Sequence, residues 1–179
     1  FWVSFYLSTD NVITTSDTYL GTRGIASLAA GASNTANTTV TLPLNISGPY
    51  YIGAIVDVNP NAPYNNNVVE SNETNNALAG NQIMVAGADL TVTSVSAPAN
   101  AGAGTTITVS NTVTASPTGG SAGEFYVSVY LSADSTITTS DTYVGARNIS
   151  SLAAGASSSG NTTVMVPLSF TGPYYIGAI

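Results

Sequence analysis

Residues 1–8 read FWVSFYLS and residues 125–132 read FYVSVYLS. Phe1, Val3, Phe5 and Leu7 alternate with Trp2, Ser4, Tyr6 and Ser8, and Phe125, Val127, Val129 and Leu131 occupy the same places in the second stretch. Successive side chains of an extended chain point to opposite faces, so a two-residue period of this kind predicts a half-buried strand in both places. The Phe, Val and Leu side chains are expected inward. Trp2 and Tyr6, with Tyr126 and Tyr130, are expected on the outward face.

The two octads belong to a longer match. FWVSFYLSTDNVITTSDTYLGTRGIASLAAGAS returns as FYVSVYLSADSTITTSDTYVGARNISSLAAGAS, and the correspondence runs without a gap to GPYYIGAI, so that residues 1–55 align with residues 125–179 at an offset of 124. About 38 of the 55 aligned positions are identical, far more than a shared composition produces. A period of 124 suits a sandwich domain of about 100 residues with its loops. The chain therefore holds about one and a half repeats, out of phase with its ends. Residues 1–86 are expected to be the later part of one sandwich without its leading strands, and residues 87–179 the earlier part of the next without its trailing strand. Neighbouring chains or further residues are expected to supply the missing strands, because a half-sandwich exposes unpaired backbone and an open core.

Further strands are predicted around YLGTRGI, NTTVTLP, PYYIGAIV, NQIMVA, DLTVTSVS and TTITVSNTVT, each bounded by Gly, Pro, Asn or Ser. No segment carries a helical stripe. Read as one repeat from Ala88, the pattern gives about seven strands, an all-β, immunoglobulin-like Greek-key sandwich in tandem. Between NQIMVA and DLTVT the joint is little more than Ala86, Gly87 and Ala88, too short for a free swivel, so successive domains are expected to form a semi-rigid rod.

Composition narrows the function. Charged residues make up 6% of the 179, and the formal net charge is −7, against roughly 25% charged in ordinary soluble proteins. Arg23 and Arg147 are the only cations, and phosphate neutralisation needs a cluster of them, which argues against nucleic-acid binding. There is no cysteine and no histidine, which removes disulfides, thiolate metal sites, and the common nucleophile–base pairs. No apolar run is long enough for a membrane helix.

The series ADLTVTSVSAPANAGAGTTITVSNTVT, FYVSVYLSADSTITTSDTYVG, SLAAGAS, YYIGAI and VVESNETNN resembles the bacterial cell-adhesion-related domain CARDB over essentially the whole chain. The resemblance implies immunoglobulin-like modules in tandem within a large secreted or cell-surface protein, and it supplies no ligand. The stretch from Asp57 to Asn76 is longer than the family's usual loop.

Carboxylates are the remaining candidates for chemistry. Asp10 and Asp17 flank NVITTS, and Asp134 and Asp141 flank STITTS. Calcium takes six to eight oxygens in flexible geometry and suits such a loop, while the alternative is that each aspartate caps a turn through its own backbone. Asp57, Glu70 and Glu73, with Asn72, Asn75 and Asn76 alongside, form a second cluster that is either a calcium site at the domain joint or a solvated loop. Glycoside hydrolysis by paired carboxylates is rejected, because copies of a site along a rod without a deep pocket do not suit an enzyme. Trp2, Tyr6, Tyr126 and Tyr130 would stack on sugar rings or on another subunit, with cross-strand packing as the commoner reading. Asn37, Asn45, Asn72, Asn148 and Asn161 begin N-x-S/T sequons, about the number that this composition gives by chance.

The function expected from these readings is a non-enzymatic structural module of an extracellular filament or cell-surface stalk, with itself as partner through a homopolymer or a continued array. The alternative is an adhesin repeat binding a glycan or a host-surface protein.

Overall fold

The computed structural model describes residues 1–58, 60 and 68–179. Among these the chain forms strands and no helix, and it divides into two compact units, Phe1–Val85 and Ala86–Ile179. The architecture is all-β, with immunoglobulin-like sandwich repeats.

The first unit contains β1 (Trp2–Ser8), β2 (Thr18–Gly24), β3 (Gly48–Val56) and β4 (Ala77–Val85), joined in one antiparallel sheet of order β2-β1-β3-β4. The second contains β5 (Leu90–Ser96), β6 (Thr106–Ala115), β7 (Phe125–Ser132), β8 (Thr142–Ile149), β9 (Ser157–Met165) and β10 (Tyr175–Ala178). These form two three-stranded sheets, β5-β6-β9 and β10-β7-β8. At the 124-residue offset β1, β2 and β3 correspond to β7, β8 and β10. Counted across one period, the three strands β5-β6-β9 face four strands ordered like β2-β1-β3-β4, seven in all.

The pairing registers repeat as faithfully as the residues. Tyr6 lies opposite Gly53 and Tyr130 opposite Gly177. A bulge falls between Phe5 and Tyr6 against β2, and again between Val129 and Tyr130 against β8. Glycine is required at 53 and 177 by close approach: a Cβ there would run into the side chain of Ile13 or Ile137, which folds back from the following loop over the sheet.

The second unit is packed between its sheets. Val113, Ala115, Ala122, Val127, Ile149 and Leu152 form one cluster, and Val109, Val129 and Val164 a second. Burying a Val or Leu side chain completely is worth about 1.5–3 kcal/mol, so these clusters are the main source of the unit's stability. The first unit packs mainly on its other face, around Tyr6, Ile13 and Ile55, with Tyr19, Tyr51, Val58 and Ala79 against them.

Two expectations are corrected here. Tyr6, expected outward, is 1% exposed, because Ile13 and the segment around Val58 and Ala79 cover its face of the sheet. The stretch NTTVTLP, expected as a strand, carries none in the first unit, whereas its counterpart forms the later half of β9. A strand needs a ladder partner; β9 has β6, and the described residues of the first unit include no strand in the place of β6.

Candidate functional site

The loops after β1 and β7 use their aspartates identically. Asp10 Oδ1 accepts from the Val12 amide at 2.8 Å, and Asp17 Oδ2 accepts from the Thr14 amide at 2.7 Å and from its hydroxyl at 3.2 Å. In the copy, Asp134 Oδ1 accepts from the Thr136 amide at 2.8 Å, and Asp141 Oδ2 from the Thr138 amide at 2.6 Å and its hydroxyl at 3.2 Å. These are local turn-closing bonds of the kind short acidic side chains make with their own backbone. The Thr138 amide, and after it the Ser132 hydroxyl, hold the Asp141 carboxyl below the usual carboxylate range.

In the second acidic group, Glu73 Oε1 accepts from the Glu70 amide at 3.1 Å, and Asn76 donates to Glu73 Oε2 at 3.4 Å. Asp57 is buried in a left-handed backbone conformation with φ of 59°, a region that Asp visits more readily than most residues. Its Oδ2 accepts from the Val68 amide at 2.9 Å and its own amide donates to the Trp2 carbonyl at 2.6 Å. Glu70 and Glu73 are thus brought together. Among the described residues no group of three carboxylates stands close enough to hold a metal ion. Part of the long stretch from Asp57 to Asn76, residues 59 and 61–67, lies outside the described residues.

The aromatic stripe divides. Trp2 is half-buried, with its indole against Gly24. Tyr6 meets Tyr19 edge-on at 5.8 Å, and burial, with Tyr19 adding to it, pushes the Tyr6 phenol above its ordinary pKa. Tyr130 meets Tyr143 in the same way at 5.8 Å but is only half-buried. Tyr126 is 62% exposed, and Tyr143 and Tyr175 are exposed too.

One polar constellation escaped sequence reasoning. Arg147 of β8 reaches under β6 and β9: its Nε donates to Asn111 Oδ1 at 2.7 Å, and its two terminal nitrogens donate to the Ser158 hydroxyl at 3.0 Å and carbonyl at 2.8 Å. Asn111 in turn donates to Thr162 Oγ1 at 3.5 Å. Buried polar groups are tolerated when mutually satisfied, and this set meets that condition. The available signal was an Asn on the apolar side of β6, in the alternation Ile107, Val109, Asn111, Val113.

A cavity of about 480 Å³ opens at one end of the second unit, lined by Ile107, Leu131, Val166, Phe170, Tyr174 and Ile176 among others. It gathers apolar side chains and no carboxylate, an arrangement without an acid–base pair. Among the described residues no helix is long and apolar enough to cross a membrane.

Paired antiparallel sheets, a sequence that repeats at 124 residues, and polar groups spent on turns and on interior bonds define a tandem of immunoglobulin-like sandwich modules. The chain belongs to the CARDB family, whose profile matches residues 1–80 and again residues 87–179. CARDB is an adhesion-related domain family associated with bacterial cell-surface proteins. No curated protein matches the chain significantly.

Proposed function

We propose that this chain is a structural segment of a bacterial surface stalk or extracellular filament, in which sandwiches follow one another in series. The observation that carries the reading is the joint. Between Val85, the last residue of β4, and Leu90, the first of β5, lie four residues. They are tied into the second unit: the Gly120 amide donates to the Gly87 carbonyl at 2.7 Å and the Ser116 amide to the Asp89 carbonyl at 2.8 Å. A Cβ at Gly119 or Gly120 would press on this same stretch. Little chain is left to act as a free linker, as a spacer requires.

The charge-poor surface, 6% charged residues, suits lateral contact with other copies better than mutual repulsion. The exposed tyrosines of the second unit are also consistent with packing, since Tyr19 and Tyr51, which correspond to Tyr143 and Tyr175, lie half-buried against the Tyr6, Ile13 and Ile55 cluster in the first unit.

Antibodies against residues 1–179, used in immunogold electron microscopy of the native cell surface, test the reading. Label along fibres or stalks is expected. Label restricted to soluble secreted material, together with a saturable glycan on an array probed with the chain, would replace the stalk by the adhesin.

A further inference from the structure

Of the N-x-S/T sequons that begin at Asn37, Asn45, Asn72, Asn148 and Asn161, one stands apart. Their number carries no information, so geometry has to choose among them. Asn72 lies in the turn that precedes β4, exposed together with Ser71, Glu73 and Thr74. Its Oδ1 accepts from the Thr74 amide at 3.0 Å and from the Thr74 hydroxyl at 2.7 Å. Among the described residues no bond holds its Nδ2. Glu73, the middle residue of the sequon, keeps the turn closed: its Oε1 accepts from the Glu70 amide at 3.1 Å and its Oε2 from Asn76 at 3.4 Å.

The other sequons are placed differently. Asn148 is on β8 and Asn161 on β9, each paired in a ladder. There Asn148 Nδ2 donates to Glu124 at 2.8 Å, and Asn161 Oδ1 accepts from the Ser110 hydroxyl at 2.8 Å. A residue fixed in a ladder is drawn into the cleft of another protein only by breaking backbone bonds. Asn37 and Asn45 lie outside the strands, yet they lack a second feature of Asn72. Glu70 stands two residues ahead of Asn72, whereas Thr35, Pro43, Ala146 and Ser159 take that place at the others. Glu70 and Asn72 line the same open depression of about 490 Å³. A carboxylate that a cation of a second protein can grip is therefore reached from the same side as the acceptor amide.

We propose that Asn72 is the acceptor of an N-linked oligosaccharide, transferred by an enzyme from a lipid-diphosphate donor. An amide nitrogen is a weak nucleophile because its lone pair is delocalised into the carbonyl. Two donors on Oδ1 stabilise the negative charge that the amide gains as Nδ2 gives up a proton, so the Thr74 hydroxyl makes Nδ2–H a better acid. In the transfer Nδ2 attacks C1 of the first sugar and the N–C1 bond forms. The C1–O bond breaks, its electron pair leaves with the diphosphate, and the Nδ2 proton passes to a base of the enzyme. Nothing is oxidised or reduced. The step requires export of the chain, which the stalk and adhesin readings share, so the failure of either in microscopy leaves it untouched.

The test is peptide mass spectrometry of the protein isolated from the cells that make it, with electron-transfer fragmentation to locate any added mass. Arg23 and Arg147 are the only tryptic sites, so an endoprotease other than trypsin is used. A saccharide mass on Asn72 is expected. In protein expressed in the same cells, Asn72→Gln and Thr74→Ala should abolish it and Glu70→Gln should lower occupancy several-fold. Thr74→Ser should keep it, which separates the hydroxyl bond from the identity of the residue. The proposal is overturned if the Asn72 peptide carries no saccharide, if fragmentation places the sugar on Ser71 or Thr74, or if Thr74→Ala leaves occupancy unchanged.

Discussion

Val127 and Val129 are 1% and 0% exposed, whereas Val3 and Phe5, at the same repeat positions, are half-buried. On the opposite face of the same strand the order reverses: Tyr6 is sealed and Tyr130 is half-open. Near-identical octads therefore end in different environments, and the neighbours account for it. The second unit has the sheet β5-β6-β9 over its Val face, while the first has Val58 and the β4 residue Ala79 against its Tyr face. Burial along a strand is a property of the layers that meet it, and the strand's own pattern shows only that some layer must.

The comparison is broken most severely at the tyrosines. Tyr6→Ala is expected to cost the first unit about 3–5 kcal/mol, the range for removing a large buried aromatic side chain. Tyr130→Ala should cost the second unit less than half as much, and separate hydrogen-exchange readouts for the two units check the ratio. Equal losses would mean that the two faces are equally covered.

Gly53→Ala forces a methyl group into Ile13, an overpacking expected to cost about 1–3 kcal/mol. Adding Ile13→Ala should recover only part of that loss, because the Leu78 carbonyl also stands in the way, and the pair Gly177→Ala with Ile137→Ala, where Ile137 alone obstructs, should recover more in thermal melts. Additive losses would show that the isoleucine is not the obstacle.

Asn111→Ala strands Arg147 Nε and is expected to destabilise the second unit by about 1–3 kcal/mol. Arg147→Met removes the same network and should also be costly to that unit. Arg23→Met should cost the first unit less, because its Nε has no partner to lose and only the exposed NH1–Asn34 bond goes. Chemical denaturation of the variants, followed by unit-specific exchange, tests this asymmetry.

The smallest effect belongs to the aspartate loops. Because the folded-state value of Asp141 is lowered, the stability it lends is present above the ordinary aspartate pKa of about 3.9 and disappears as pH falls through the depressed value. A carboxyl-detected NMR titration should place its midpoint below that of a free aspartate. Calcium added to the same sample tests the loop's other reading: saturable shifts at Thr138 and Asp141 would make it a cation site, and unchanged shifts leave the aspartates as turn caps.

The repeat, the alternation in FWVSFYLS and the all-strand character of the described residues were legible from the sequence, because strand period and turn residues are local properties. The covering of Tyr6 was not, since it depends on Ile13 returning over Gly53 and on residues some fifty positions away. The strand expected over NTTVTLP failed for a related reason: its residues suit a strand, but the described residues of the first unit hold no strand in the place that β6 takes beside β9. The Arg147–Asn111 bond joins β8 to β6 across the sandwich, and no motif spaces the two residues in a recognisable way. The aspartates flanking NVITTS and STITTS were open in the sequence to two readings, turn cap and calcium ligand. That Glu70 and Glu73 come together while Asp57 bonds the Val68 amide instead is a question of loop path, which composition does not encode.

The bonds that fasten Gly87 and Asp89 to the turn at 116–120 also bear on how the chain would carry tension. A pull transmitted out of β4 meets the Gly120–Gly87 and Ser116–Asp89 bonds before it reaches the β5–β6 ladder. Extension of this stretch under load would therefore begin with breaking backbone bonds of the second unit.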